Sequence, residues 1–292
     1  MRNTETGDRR AARAGSLIGS IAHPASAGAL VVAAALAGGL AAGSALAAPA
    51  SGECRARSPA ATAALVELFT SEGCSSCPPA DRWLSGLPAA ALAAGTVVPV
   101  ALHVTYWDHL GWKDPFAQAV FTERQTMWKE IGHGRYVYTP QVVIAGHDQP
   151  GWSEPDRFWN EVKAVNARPP AADITLEGRP GEGGRIEALV RIRFADRATA
   201  GHPVLFLAST RSGLSSRVGA GENGGSTLRH DHVARAWAGP IELNAGAEAV
   251  VRRTLEAGPA PGSGTAGTGL VAFVQDLDRG RILQAVAIPD CR

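Results

Sequence analysis

The sequence predicts an α/β domain followed by a small antiparallel β-sandwich-like domain, on three observations. Short apolar runs alternate with helical segments as far as residue 168. A proline-rich junction follows, Arg168-Pro169-Pro170-Ala171-Ala172. Beyond it the apolar residues recur with period two, and helical periodicity is weak.

The elements of the first half follow from composition and punctuation. Residues 63–69 read as a buried strand that ends in the turn Thr70-Ser71-Glu72-Gly73, and Ala80, Trp83, Leu84 and Leu87 then fall on one helical face. Residues 96–104 read as a second buried strand, interrupted only by Pro99. A polar-aromatic loop from Tyr106 to Lys113 comes next, and Asp114-Pro115 offers an N-cap and first position for a helix that Gly132 stops. After Thr139-Pro140, residues 141–145 read as a third strand, and Ser153 with Asp156 opens a helix carrying Phe158, Trp159, Val162 and Val165. Strands alternating with helices imply a largely parallel core sheet.

In the second half, Ile186, Ala188, Val190, Ile192 and Phe194 alternate with residues that include Glu187, Arg191 and Arg193, the pattern of a half-buried strand. Further strands are predicted at 203–209, 248–255, 269–275 and 281–288, with a hairpin turn at Asp278-Arg279-Gly280. Residues 211–226 and 256–268 read as Gly/Ser-rich loops.

The chain has 292 residues, 45% of them hydrophobic and 19% charged, which suffices for a buried core and favours two domains. A formal net charge of +1 excludes a basic footprint for nucleic acid or an anionic membrane surface. Residues 1–47 read as a signal peptide: Arg2, Arg9, Arg10 and Arg13 precede an uncharged run and the small-x-small site Ala45-Leu46-Ala47. An uncleaved membrane anchor is the rival reading, since the run is long enough to span a bilayer. Arg9-Arg10 permits the twin-arginine route. Either way the expected location is periplasmic or secreted, where disulfides persist. The expected organisation is therefore a signal peptide (1–47), the α/β domain (48–168), a linker (169–172) and the β-rich domain (173–292).

The chemistry centres on Gly73-Cys74-Ser75-Ser76-Cys77-Pro78-Pro79, placed between a strand and a helix. Two intervening residues let the sulfurs bridge, and a thiolate at a helix N-terminus is stabilised by unpaired N–H groups. Cys74 is expected to face solvent as the nucleophile, and Cys77 to lie deeper as the resolving thiol. The pair could instead be an inert structural disulfide, or a copper site completed by His103. Of the three pairings that four cysteines allow, the C-x-x-C spacing favours the one that also joins Cys54 to Cys291. His230-Asp231-His232 would put two histidines on one face of a strand; with no third ligand apparent it reads as an exposed polar edge, and no metal site is assigned.

Three runs carry a family resemblance: Val66 to Asp81, the loop from Tyr106-Trp107-Asp108 to Phe116, and Tyr138-Thr139-Pro140-Gln141, with Glu222-Asn223-Gly224 further on. They resemble the DUF1223 family of uncharacterised secreted bacterial proteins, assigned a thioredoxin-like fold. The resemblance implies redox roles for Cys74 and Cys77, a cis-proline at Pro140 preceded by Thr139, and a buried proton-relaying acid at Glu67. The Ser-Ser between the cysteines and the aromatic insertion depart from thioredoxin. Tyr106, Trp107 and Trp112 would flank the cysteines as an apolar rim for a partner, or pack as a satellite core beneath the insertion. The expected activity is thiol–disulfide exchange with a protein or small-thiol partner, without an organic cofactor. The rivals are copper handling and a binding module with a structural disulfide.

Overall fold

The computed structural model describes residues 52–243, 246–256 and 267–291, so the expected signal peptide and most of the 256–268 loop lie outside the described residues. In chain order the strands and helices are β1 (Cys54–Arg57), β2 (Ala64–Thr70), α1 (Pro78–Ser85), α2 (Ala89–Ala93), β3 (Val97–His103), α3 (Ala119–Ile131), β4 (Gln141–Ile144), β5 (His147–Asp148) and α4 (Pro155–Asn166). There follow β6 (Ala172–Pro180), β7 (Arg185–Phe194), β8 (Pro203–Arg211), β9 (Leu214–Arg217), β10 (Thr227–His230), β11 (Val233–Glu242), β12 (Glu248–Glu256), β13 (Thr268–Asp276) and β14 (Arg281–Cys291).

These elements do not form an α/β thioredoxin-like domain with a separate sandwich behind it. The described chain is mostly β, 44% strand against 20% helix. One eight-stranded sheet runs β14-β13-β8-β11-β3-β2-β4-β5 and draws strands from both sides of residues 169–172. Only β2 with β3, and a single β11–β3 pair at Val233 and Ala101, run parallel. The junction at β11 is what overturns the expected fold class: it pairs antiparallel with β8 and touches β3, welding the later strands to the earlier ones.

The physical reason lies in β8 and β13, which are buried at nearly every position. Val204, Phe206 and Ala208 face the cluster built around β2, β3 and the helices, while Leu205 and Leu207 face the opposite cluster. Strands covered on both faces lie in the interior of a sheet, not at the edge of a free sandwich. The four-stranded antiparallel sheet β1-β6-β7-β12 covers the second face. It buries Ile174, Leu176, Ile186, Val190 and Ile192 against Leu270, Ala272, Val274 and Val286. A Cys54–Cys291 disulfide staples the edge of this sheet to β14 beneath Gly178, where a Cβ would come within 2.7 Å of the Cys54 sulfur.

Local differences have local causes. The third helix starts at Ala119, not beside Asp114: Asp114 closes a local turn through the Phe116 amide, and extended Gln118 separates that turn from the helix. Glu154 and Pro155 open α4 without a side-chain cap from Ser153. The 211–226 stretch is not all loop: it contributes β9, which pairs with β10 in a two-stranded ribbon. The DRG turn joins β13 to β14 with Gly280 at φ +66°.

Candidate functional site

The turn after β2 and the first turn of α1 build the site. Cys74 and Cys77 are joined as a disulfide, with Cα atoms 5.4 Å apart. Cys77 is the N-cap of α1, and Pro78 and Pro79 fill its first two positions. Those prolines have no N–H to offer, and the Cys77 amide already donates to Cys74 O at 3.2 Å. The Ser75 amide donates to Glu222 at 2.8 Å. The Ser75 and Cys77 amides are therefore committed, and Ser76 Oγ lies 3.3 Å from the Cys74 sulfur.

Contrary to the expectation that Cys74 meets solvent, both cysteines are fully buried, while Ser75 and Ser76 between them are exposed. The hairpin tip between β9 and β10 accounts for this. Asn223 Nδ2 donates to the carbonyls of Glu72 and Cys74, each at 2.9 Å. Gly221, at φ +75°, brings the tip against Leu110, Trp112 and Gly73. The Glu222-Asn223-Gly224 run of the second half thus closes over the cysteine turn of the first.

The aromatic loop braces this turn. Trp107 Nε1 donates to Thr139 Oγ1 at 2.8 Å, and Trp112 Nε1 donates to Glu72 Oε2 at 2.8 Å. Tyr106 is half-buried, and burial holds its phenol above the ordinary value. The Thr139–Pro140 peptide is cis, and Thr139 is tied to the cysteine turn through Trp107. All three rim residues are partly covered, so their indoles and phenol serve the packing of the turn as well as any partner surface.

Glu67 does not stand free as a relay acid. Its carboxylate accepts from Arg124 Nε at 2.8 Å, Arg124 Nη2 at 3.2 Å and Trp128 Nε1 at 3.0 Å. Arg124 also donates to Gln275 and lies over the rings of Phe206 and Phe273. This buried ion pair connects α3 to β2 and β13.

The acids beside the cysteines are others. Asp114 accepts from the Glu72 and Phe116 amides and from His103 Nδ1, the last at 2.7 Å. Burial alone would lower the His103 pKa; the charge and hydrogen bond of Asp114 outweigh it and hold His103 above the ordinary histidine value. Burial would raise Asp114, and His103 reverses that, leaving it below the usual carboxylate range. Glu72 accepts from His230 Nε2 at 3.1 Å, and also from Ser216 Oγ. On α1, Asp81 is pushed above the usual range by burial. The two sulfurs that a copper site with His103 would use are bonded to each other, and His103 stacks edge-on with His230, ring centroids 4.9 Å apart. Nor do His230 and His232 share a strand face, since His232 lies in the turn after β10 at φ +58°. Glu72, Asp81 and the inward-facing His230 were not legible as site residues, because residues up to 158 positions apart meet here.

The site's core lies within a sequence profile described as "Protein of unknown function (DUF1223)", which matches residues 65–275. The chain belongs to that family. No curated protein matches it. Among solved structures it is similar to a protein from Agrobacterium tumefaciens, at 22% identity and TM-score 0.54 over 78% of this chain and 94% of that one. It is also similar to HBP35 of Porphyromonas gingivalis, at 13% identity and TM-score 0.60 over 79% and 76% respectively. At these identities the likeness extends to the fold alone. Among the described residues no helix is long and apolar enough to cross a membrane.

Proposed function

We propose that this chain is an exported thiol–disulfide oxidoreductase-like protein working through Cys74 and Cys77 in the periplasm or outside the cell. The observation that carries the reading is a two-residue-spaced disulfide at the start of α1, enclosed by a hairpin tip from a distant part of the chain. The second, inter-sheet disulfide suits an oxidising compartment. In the reducing direction, the Cys74 thiolate attacks one sulfur of a partner disulfide and expels a partner thiolate. The Cys77 thiolate then attacks the Cys74 sulfur, closing the 74–77 disulfide and releasing the second partner thiolate. Two electrons pass to the partner, and no cofactor enters the balance. In the oxidising direction the same bonds form and break in reverse. The partner is a protein disulfide or dithiol, or a small thiol.

The test is equilibration of the 74–77 couple in glutathione or dithiol buffers, followed by thiol trapping. A measurable potential, together with mixed disulfides that accumulate in Cys77→Ser and not in Cys74→Ser, is expected. A pair that stays oxidised in mild dithiol until the chain unfolds would make it a structural bridge and end the proposal.

A further inference from the structure

We propose that Asp81, His103 and His230 form a binding site for one divalent transition-metal ion, with Zn(II) as its reference ligand. One ligand atom from each of the three residues lies within 4.8 Å of the others, and all three residues are buried. The outward ring nitrogens fix the direction of the inward ones. His103 Nδ1–H donates to Asp114 and His230 Nε2–H donates to Glu72, because a carboxylate can only accept there. His103 Nε2 and His230 Nδ1 consequently point inward, and neither has a hydrogen-bond partner among the described residues.

Buried ring nitrogens without partners are costly, and two of them facing one carboxylate need a common explanation. The distance from His230 Nδ1 to Asp81 Oδ2 is 3.8 Å. Tetrahedral zinc with bonds of about 2.0–2.1 Å holds neighbouring ligand atoms roughly 3.3–3.5 Å apart, so this pair needs only a small contraction, and the three ligand atoms as a set, which lie within 4.8 Å of one another, must draw in around the ion. The pattern of carboxylate to histidine to metal occurs twice, through Asp114 and Glu72, and such partners orient the rings and raise their basicity. Phe116 packs edge-on against both rings and dries that side.

A surface cleft reaches the cluster. Asp81 and His230 form part of its wall, with Pro78, Arg82, Thr227 and Arg229. Two histidines and one carboxylate leave a fourth position toward this cleft, suited to water or a small anion. The N,N,O donor set suits a borderline ion such as zinc over a hard one such as calcium. The site is complete with Cys74 and Cys77 in their disulfide, so it stands apart from the thiol chemistry.

The test uses the exported chain, fully oxidised and shown by thiol titration to have no free cysteine, stripped with chelator and dialysed against Zn(II). One zinc per chain is expected, with a cobalt-substituted absorption spectrum of low coordination number and no thiolate-to-metal band. Asp81→Asn should weaken zinc by more than ~100-fold, and Glu72→Gln by about 10- to 100-fold as an outer partner. A folded, oxidised wild type that takes up neither zinc nor cobalt overturns the proposal. So does zinc held with unchanged affinity by folded Asp81→Asn and His230→Gln. Should those variants fail to fold, the wild-type stoichiometry and cobalt spectrum decide alone.

Discussion

The indole N–H of Trp107 donates to Thr139 Oγ1 at 2.8 Å, while Trp107 Cβ stands 2.9 Å from the place a Cβ on Gly73 would occupy. One side chain therefore spans the turn that enters the cysteine pair and the turn that enters β4, and it tolerates no side chain at residue 73. Gly73→Ala should displace Trp107 and lower stability by about 1–3 kcal/mol, the usual cost of overpacking. At Gly181 a Cβ meets nothing nearer than 3.7 Å, so Gly181→Ala should stay within about 0.5 kcal/mol of wild type. Urea denaturation of the two variants side by side measures the difference.

The Glu67–Arg124 pair makes a different kind of demand. Both side chains are almost wholly buried, and Arg124 has aromatic rings on several sides. Glu67→Leu alone would strand a buried guanidinium, so a loss of roughly 3–5 kcal/mol is expected. Glu67→Leu with Arg124→Met removes both charges and should recover most of that loss. Because the carboxylate is bound to Arg124 and Trp128, the double variant should leave the reduction potential of the cysteine pair unchanged. A shift of that potential with Glu67 would restore the relay-acid reading.

Much of this architecture was legible as elements and little of it as assembly. The runs at 63–69, 96–104, 203–209 and 269–275 announce buried strands, and the alternation in 185–194 announces a strand with one wet face. What an apolar run cannot state is which strand lies beside it, so β8 and β13 were as compatible with a small sandwich as with the interior of one large sheet. β11 was silent for another reason: Gly239-Pro240 breaks its run at a register shift, and Arg235 and Trp237 blur its period. The cysteine turn was legible because its chemistry is local. The cluster around it was not, because Asp114 resembles a helix cap and His230 a polar edge until β10 is folded against α1.

The Cys54–Cys291 bridge spans 237 residues of sequence and joins β1 of one sheet to β14 of the other. Closing so long a loop restricts the unfolded chain by up to about 5 kcal/mol in the chain-entropy picture. Cys54→Ser with Cys291→Ser should lower the melting temperature markedly, and the loss should appear in β6 before β2. Hydrogen exchange resolves that order: equal loosening of the two strands would argue against a staple acting between the sheets.

The hairpin tip sets access to the 74–77 disulfide, and its hold is a matter of three hydrogen bonds. Asn223 supplies two of them, to Glu72 O and Cys74 O, and Glu222 accepts the third from Ser75. With each Asn223 bond contributing about 1 kcal/mol, Asn223→Ala should raise the population of open tips and speed reduction of the buried disulfide by roughly 5- to 30-fold. Acid should act through Glu222. The hydrogen bond from the Ser75 amide, foremost, holds its pKa below the ordinary 4.5. A depressed carboxylate contributes its full stabilisation above the unfolded-state value and loses it as pH falls through the lower folded-state value. Reduction should therefore quicken as pH falls below the ordinary carboxylate value of 4.5, and Glu222→Gln should already be fast at neutral pH and lack the acid-induced rise. A phosphine is the reductant to use, since a dithiol loses its own thiolate as pH falls and would mask the effect. If wild type and both variants are reduced at one pH-independent rate, the tip is not what shields the sulfurs, and access must come through movement of the Trp107–Trp112 loop.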